Sequence, residues 1–347
     1  MRAVAESMAK RKKIYIIHTG GTIGMRREAD GYRPVAGFLA EQMVAMAELQ
    51  HTDMPGYEIH EHDPLIDSSN ISPTHWLHIA RDIATHYDAY DGFVVLHGTD
   101  TMAYTASALP FMLHGLAKPV ILTGAQIPLC EVRNDGRENL ITAMLIAANH
   151  PIPEVCLFFG NRLLRGNRAV KVNADGFDAF ASPNFQPLGI AGIGIDIRWD
   201  LVLPMPDEPS PITVKALSES RVAVVRFFPG VSADVVRNIL APPIKGVVLE
   251  TYGRGNAPDN DPALLAVLKE AVERGVVIVN CTQCLRGHVQ MGDYATGTAL
   301  ARTGVISGHD LTTEAAVAKL FYLFSRNLPV NHVKTQMQIN LNGEMSA

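Results

Sequence analysis

Short β-branched runs alternate with helix-length amphipathic segments along most of this chain, and that rhythm limits the folds open to it more than any other feature. Ile14–His18, Tyr57–Glu61, Phe93–Leu96, Val120–Thr123 and Val155–Phe159 read as strands. Between them, Phe38–Leu49, Ala103–Leu113 and Asn139–Ala148 read as helices. A further helix opens at Ser72-Pro73, an N-cap followed by proline at the first helical position, and carries a Trp76, Ile79, Ala80, Ile83, Ala84 stripe. Strands separated by helices make βαβ units and a mostly parallel sheet with helices on its faces. Arg162–Val172, with Gly166-Asn167 in its middle, reads as a β-hairpin. The alternation resumes at Val222–Phe228 and continues through Ala233–Leu240, Val247–Leu249, Pro262–Arg274, Val276–Asn280 and Ala315–Phe324 to a last amphipathic segment. Pro204, Pro206, Pro209 and Pro211 break it in between, because proline fixes φ and removes a donor. The chain therefore reads as a larger N-terminal α/β domain over 14–203, a linker over 204–216 and a smaller α/β domain over 217–347. Residues 1–13 read as a disordered extension or a misassigned start, with Met8 as an alternative first residue.

Composition removes several classes of function. Thirty basic against 35 acidic residues give a net charge of −5, so no basic field is available to hold a phosphate backbone, and no nucleic-acid partner is expected. No apolar run approaches the roughly 18–20 residues that span a bilayer, so no membrane partner is expected either. Four cysteines in 347 residues make no disulfide framework. Cys281-Thr-Gln-Cys284 lacks a second metal-spaced pair and follows the apolar Val276–Val279, which points to a structural role. The basic Lys10–Lys13 precedes only five apolar strand residues, too few for a secretory signal, so the expected location is cytoplasmic. His60 and His62 share one strand face with Glu61 pointing away. With no third convergent ligand in view, they read as solvated surface, and no metal is expected.

Ligands of open parallel sheets sit beyond the carboxyl ends of the strands. There this chain places Thr19-Gly20-Gly21-Thr22-Ile23-Gly24, Asp67-Ser68-Ser69, His97-Gly98-Thr99-Asp100-Thr101 and Gly124-Ala125-Gln126. Four such loops converging with hydroxyls, carboxylates and glycine backbone make a site. The first loop is neither G-x-G-x-x-G nor G-x-x-x-x-G-K-[ST], and an aspartate beside Thr99 repels phosphate, which disfavours nucleotides. A hydroxyl nucleophile fits better, with Tyr32, Asp100 and Lys171 as candidate activators. Spacing alone does not bring Lys171 to Thr99.

Two segments carry a family resemblance. Ile16-Ile-His-Thr-Gly-Gly-Thr-Ile-Gly24 and Gly92-Phe-Val-Val-Leu-His-Gly-Thr-Asp-Thr-Met102 resemble the two signatures of the bacterial-type L-asparaginases, in the right order. Asp67-Ser68-Ser69, Asn173–Phe180 and Tyr252–Pro258 fit as well, and the details look most like the cytoplasmic type I branch. The resemblance implies hydrolysis of L-asparagine to aspartate and ammonia, without metal or organic cofactor, in amino-acid catabolism. It implies Thr22 as nucleophile, Tyr32 as its helper on a mobile loop, and Thr99, Asp100 and Lys171 as a second, rigid triad. Gly21, Asp67, Ser68, Ser69, Thr99, Asp100 and Ala125 would hold substrate. Asn256 would reach a neighbouring subunit's site in a homotetramer built as a dimer of dimers.

In the type I branch a regulatory asparagine site uses a threonine before the triad lysine and an arginine before the Ser/Thr-Tyr-Gly segment. Val170 and Glu250 stand at those positions here, so loss or alteration of that regulation is expected. Other readings are a non-catalytic amino-acid-binding protein, or an amidohydrolase preferring glutamine or acting like a lysophospholipase. A related amidase of misacylated transfer RNA carries an additional domain before the first signature, where this chain has 13 residues.

Overall fold

A computed structural model of the protein describes residues 11–206, 210–217 and 221–346. In chain order the strands are β1 Lys13–His18, β2 Met25–Glu28, β3 Gly31–Pro34, β4 Gly56–Glu61, β5 Gly92–Leu96, β6 Leu113–His114, β7 Val120–Thr123, β8 Val155–Phe159 and β9 Arg162–Arg165. They continue as β10 Val170–Lys171, β11 Phe180–Ala181, β12 Gly189–Ala191, β13 Ile195–Ile197, β14 Thr213–Val214, β15 Val222–Arg226, β16 Gly246–Thr251, β17 Val277–Thr282 and β18 Ile306–Ser307. The helices are α1 Phe38–Ala45, α2 Pro73–His86, α3 Met102–Met112, α4 Gly136–Asn149, α5 Ala233–Leu240, α6 Pro262–Glu273, α7 Ala295–Arg302, α8 Thr313–Ser325 and α9 Val330–Met337.

The large sheet runs β13-β12-β9-β8-β7-β5-β1-β4 and is parallel from β8 to β4. Its central strands are apolar on both faces because helices cover both. Tyr15, Ile17, Phe93 and Val95 pack with Trp76, Ile79 and Ile83 of α2 and Met102 and Ala106 of α3. Ile14, Ile16, Val94 and Leu96 face Leu39 and Met43 of α1 and Leu140, Ala143 and Met144 of α4. The smaller sheet, β15-β16-β17-β18, is parallel, with α5 and α6 on one face and α8 and α9 on the other. This is the α/β architecture expected.

Several local expectations need correction. Arg162–Val172 is not a hairpin: β9 pairs with β8, and β10 pairs with β11. The real turn is Gly160-Asn161, at φ 54° and 64°, the left-handed pair that a two-residue hairpin requires. Gly166–Arg168 instead forms a buried 3-10 turn. Its Arg168 is almost fully buried and donates to Asp310, Asn184 O and Glu344 O, contacts that no local turn signal reveals. The proline-rich segment is also not free throughout, since β14 pairs with β6. Of the expected N-terminal extension, residues 1–10 lie outside the described residues. Arg11 is bonded to Met54 O, Lys12 to Asp91, and Lys13 begins β1. Phe38–Leu49 divides into α1 and a 3-10 turn over Ala47–Gln50.

Arg168 joins the two halves of the molecule, its guanidinium 2.7 Å from Asp310, and stands three residues before Lys171. Arg168→Met leaves Asp310 buried without its cation and is expected to cost about 3–5 kcal/mol, read from urea unfolding. A change within about 0.5 kcal/mol contradicts the clamp.

Candidate active site

Three loops meet beyond the carboxyl ends of β1, β4 and β5, and glycine lets them do so. Gly20 and Gly21 adopt φ of 124° and 85°, a region that disfavours side chains. A Cβ on Gly20 would stand 2.2 Å from Ile66 O, and one on Gly21 2.4 Å from Gly98 Cα and N. A Cβ on Gly98 would stand 2.5 Å from Ser68 Oγ. Thr22 and Thr99 therefore follow backbone in close contact, and the Ser68 side chain packs against Gly98. Thr22 is half-buried at the start of a 3-10 turn, and Ser68 is buried. Thr101 Oγ1 donates to Ser68 O at 2.7 Å and fastens the second loop to the third.

Lys171 reaches this crevice from β10. Its Nζ donates to Thr99 Oγ1 at 2.9 Å and lies 2.6 Å from Asp100 Oδ1. The Thr99 hydroxyl donates in turn to Gln126 Oε1 at 3.1 Å. Gln126 Nε2 donates to Ala174 O and Gly176 O, so Gln126 joins the loop after β7 to the segment between β10 and β11. In the sequence Gln126 reads only as the end of a glycine loop. Its amide, which donates and accepts at once, is the signal that could have singled it out.

The other site residues are placed differently. Asp67 caps its own turn, accepting from Ser69 N at 2.9 Å and Ser69 Oγ at 2.7 Å. Ala125 is buried beside Ile23 and Leu140, which leaves its backbone as its part of the loop. Tyr32 lies on the β2–β3 hairpin and donates to Glu131 Oε1 at 2.8 Å, a bond that pushes its phenol pKa up. No hydrogen bond joins it to Thr22 among the described residues. Asn256 follows β16 in the smaller domain, where its Oδ1 accepts from Thr296 Oγ1 at 2.9 Å. Val170 is buried. Glu250 accepts from Thr313 Oγ1 at 2.6 Å and Arg226 Nη1 at 3.3 Å. Burial, with Glu250 nearby, pushes the Glu314 carboxyl up to about 7.

Residues 13–203 match the family described as Asparaginase, N-terminal, and residues 221–337 match the Glutaminase/Asparaginase C-terminal domain. The chain belongs to the asparaginase family. It is 55% identical to L-asparaginase 1 of Escherichia coli (strain K12) over 97% of this chain and 99% of that protein. A 60 kDa lysophospholipase of Mus musculus is 45% identical over 99% of this chain and 64% of that protein. The crystal structure of L-asparaginase I from Vibrio cholerae superposes with a TM-score of 0.90 at 54% identity, covering 97% of this chain and all of that one.

Within this asparaginase fold, His97 supports the third loop. Trp76 Nε1 donates to Thr105 Oγ1, Thr105 donates to His97 Nε2, and His97 Nδ1 donates to Gly98 O at 2.7 Å. Burial pushes the His97 pKa down to about 4, which keeps the ring neutral in this relay. Cys281 is buried on β17, its thiol pushed up to about 12, so it is no redox nucleophile. His60 and His62 do meet a third convergent group, Asp82 of α2, which corrects the reading of this pair as isolated surface. Among the described residues no helix is long and apolar enough to cross a membrane.

The His97 shift sets a pH dependence. Below 6.5 the unfolded chain takes up a proton that the native ring refuses until about pH 4. The stability contribution is thus complete above 6.5 and drains as pH falls toward 4, by roughly 3 kcal/mol. His97→Gln is expected to flatten the slope of unfolding free energy across that window. Equal slopes in both proteins contradict it.

Proposed function

We propose that this protein hydrolyses L-asparagine to L-aspartate and ammonia, with Thr22 as nucleophile, in cytoplasmic amino-acid catabolism. The observation that carries the reading is the Gly21–Gly98 contact, which sets the Thr22 loop against the Thr99–Asp100–Lys171 cluster. Thr22 Oγ attacks the side-chain amide carbon, its proton leaves with ammonia, and water then releases aspartate from the acyl-threonine. Backbone N–H groups near Gly21 and Thr99 receive the oxyanion, worth about 3–4 kcal/mol for a well-placed donor. Lys171 holds Thr99 and Asp100 in fixed orientation. The free Asp100 oxygen receives the substrate ammonium, and Ser68 with neighbouring backbone N–H groups receives its carboxylate. For Tyr32 to assist, the β2–β3 hairpin gives up the bond to Glu131 and closes over the site. Asn256, in the smaller domain, completes a site across a subunit interface in a homotetramer.

Ammonia release from asparagine and glutamine tests the reading. Thr22→Val and Lys171→Met are each expected to lower kcat by about 10²–10⁴-fold. Wild-type turnover in Thr22→Val excludes it as nucleophile, and binding of an amino acid without ammonia release supports a binding protein instead. One methylene discriminates by roughly 1–3 kcal/mol, so glutamine is expected as a weaker substrate.

Velocity is expected to rise hyperbolically with asparagine, because Val170 and Glu250 stand where the resemblance puts a hydroxyl and a carboxylate-binding arginine, and a glutamate there repels the effector's carboxylate. A sigmoidal curve that becomes hyperbolic in Glu250→Ala contradicts this.

A further inference from the structure

The geometry points to a divalent transition-metal site, of the kind zinc occupies, formed by His60 of the edge strand β4, His62 just beyond its end and Asp82 of α2. The inference does not depend on the proposed reaction. One ligand atom from each of the three residues lies within 4.8 Å of the others. His60 Nδ1 is 2.8 Å and His62 Nε2 3.8 Å from Asp82 Oδ2. Ligands about 2.0–2.1 Å from a tetrahedral zinc stand roughly 3.4 Å apart, a value the two separations from Asp82 bracket, so rotamer adjustment of the histidines brings the set to a metal.

Both supports are rigid. His60 lies in the β4 register with β1, His62 N donates to His18 O just past it, and α2 is fixed to the same sheet by Trp76, Ile79 and Ile83. The carboxylate is also oriented. Tyr15 OH donates to Asp82 Oδ1 at 3.2 Å, while His86 Nδ1, one helical turn away, bonds the Asp82 backbone O at 2.9 Å. That leaves Oδ2 for the metal, with Tyr15 as the outer partner that steadies a metal-bound carboxylate. Asp82 and His62 are largely buried while the His60 ring is half-exposed, which gives an entry path from solvent. Glu61 points to the opposite face and pairs with His18 at 3.0 Å, so it is not a ligand. Two imidazoles and one carboxylate select zinc or cobalt over magnesium or calcium. The bound ion would staple the edge strand to α2, with water in its fourth position.

The test is calorimetric titration of tag-free, chelator-treated full-length protein with zinc, alongside Co²⁺ absorption spectra. One equivalent is expected to bind, with the visible bands of four-coordinate cobalt. Tyr15→Phe, which removes the donor to Asp82 Oδ1 and keeps the ring, is expected to weaken zinc binding about 10–100-fold. His60→Ala is expected to weaken it at least as much and to abolish the rise in melting temperature that zinc produces in the wild type. His60 is exposed, so its replacement leaves the fold intact, which the metal-free melting temperature checks. No stoichiometric binding overturns the proposal, as does equal affinity in His60→Ala, which would assign the ion to cysteines or other histidines.

Discussion

The site depends on backbone meeting backbone at Gly21 and Gly98. The space between those two loops is too small for one methyl group, and Gly21 also holds a positive φ. With both positions glycine, Thr22 and Thr99, the residues that follow them, are presented by adjacent turns without a side chain between. Any larger residue at 21 has to push the first loop off the third, separating the two hydroxyls before any chemistry is considered.

Around that contact, the fold supplies orientation through long-range polar anchors. His97 is locked by Trp76 and Thr105 beneath Gly98. Asp135 accepts from Gln126 N and Ile127 N, steadying the loop that receives the Thr99 hydroxyl. Arg168 ties the strand segment bearing Lys171 to Asp310 and the C-terminal residues. The Lys171–Asp100 pair itself is partly exposed, so it contributes little to stability, and its value lies in where it holds the ammonium.

The strands were legible wherever β-branched runs are buried on both faces: Val120–Thr123 and Val155–Phe159 fall where the pattern puts them. So were the glycine loops, because positive-φ backbone leaves few alternatives to glycine. The turn at Gly160-Asn161 was missed because Gly166-Asn167 offers the same dipeptide six residues later, and burial of Arg168 against distant partners decides between them. α7, with Thr296, Gly297 and Thr298 in its first turns, has too weak an apolar stripe to announce itself. Asp82 could not be connected with His60 and His62 from spacing, because only the packing of α2 on the sheet edge brings it there. Tyr32 shows the opposite limit. The resemblance pairs it with Thr22, while its hydroxyl in this structure is bound to Glu131.

What remains decisive is which oxygen becomes acylated. Acid quenching during turnover of asparagine, followed by peptide mass mapping, reads this directly. The account predicts an aspartyl ester on the peptide containing Thr22, absent from the Thr22→Val protein. An ester on Thr99, or on any other side chain, would contradict it.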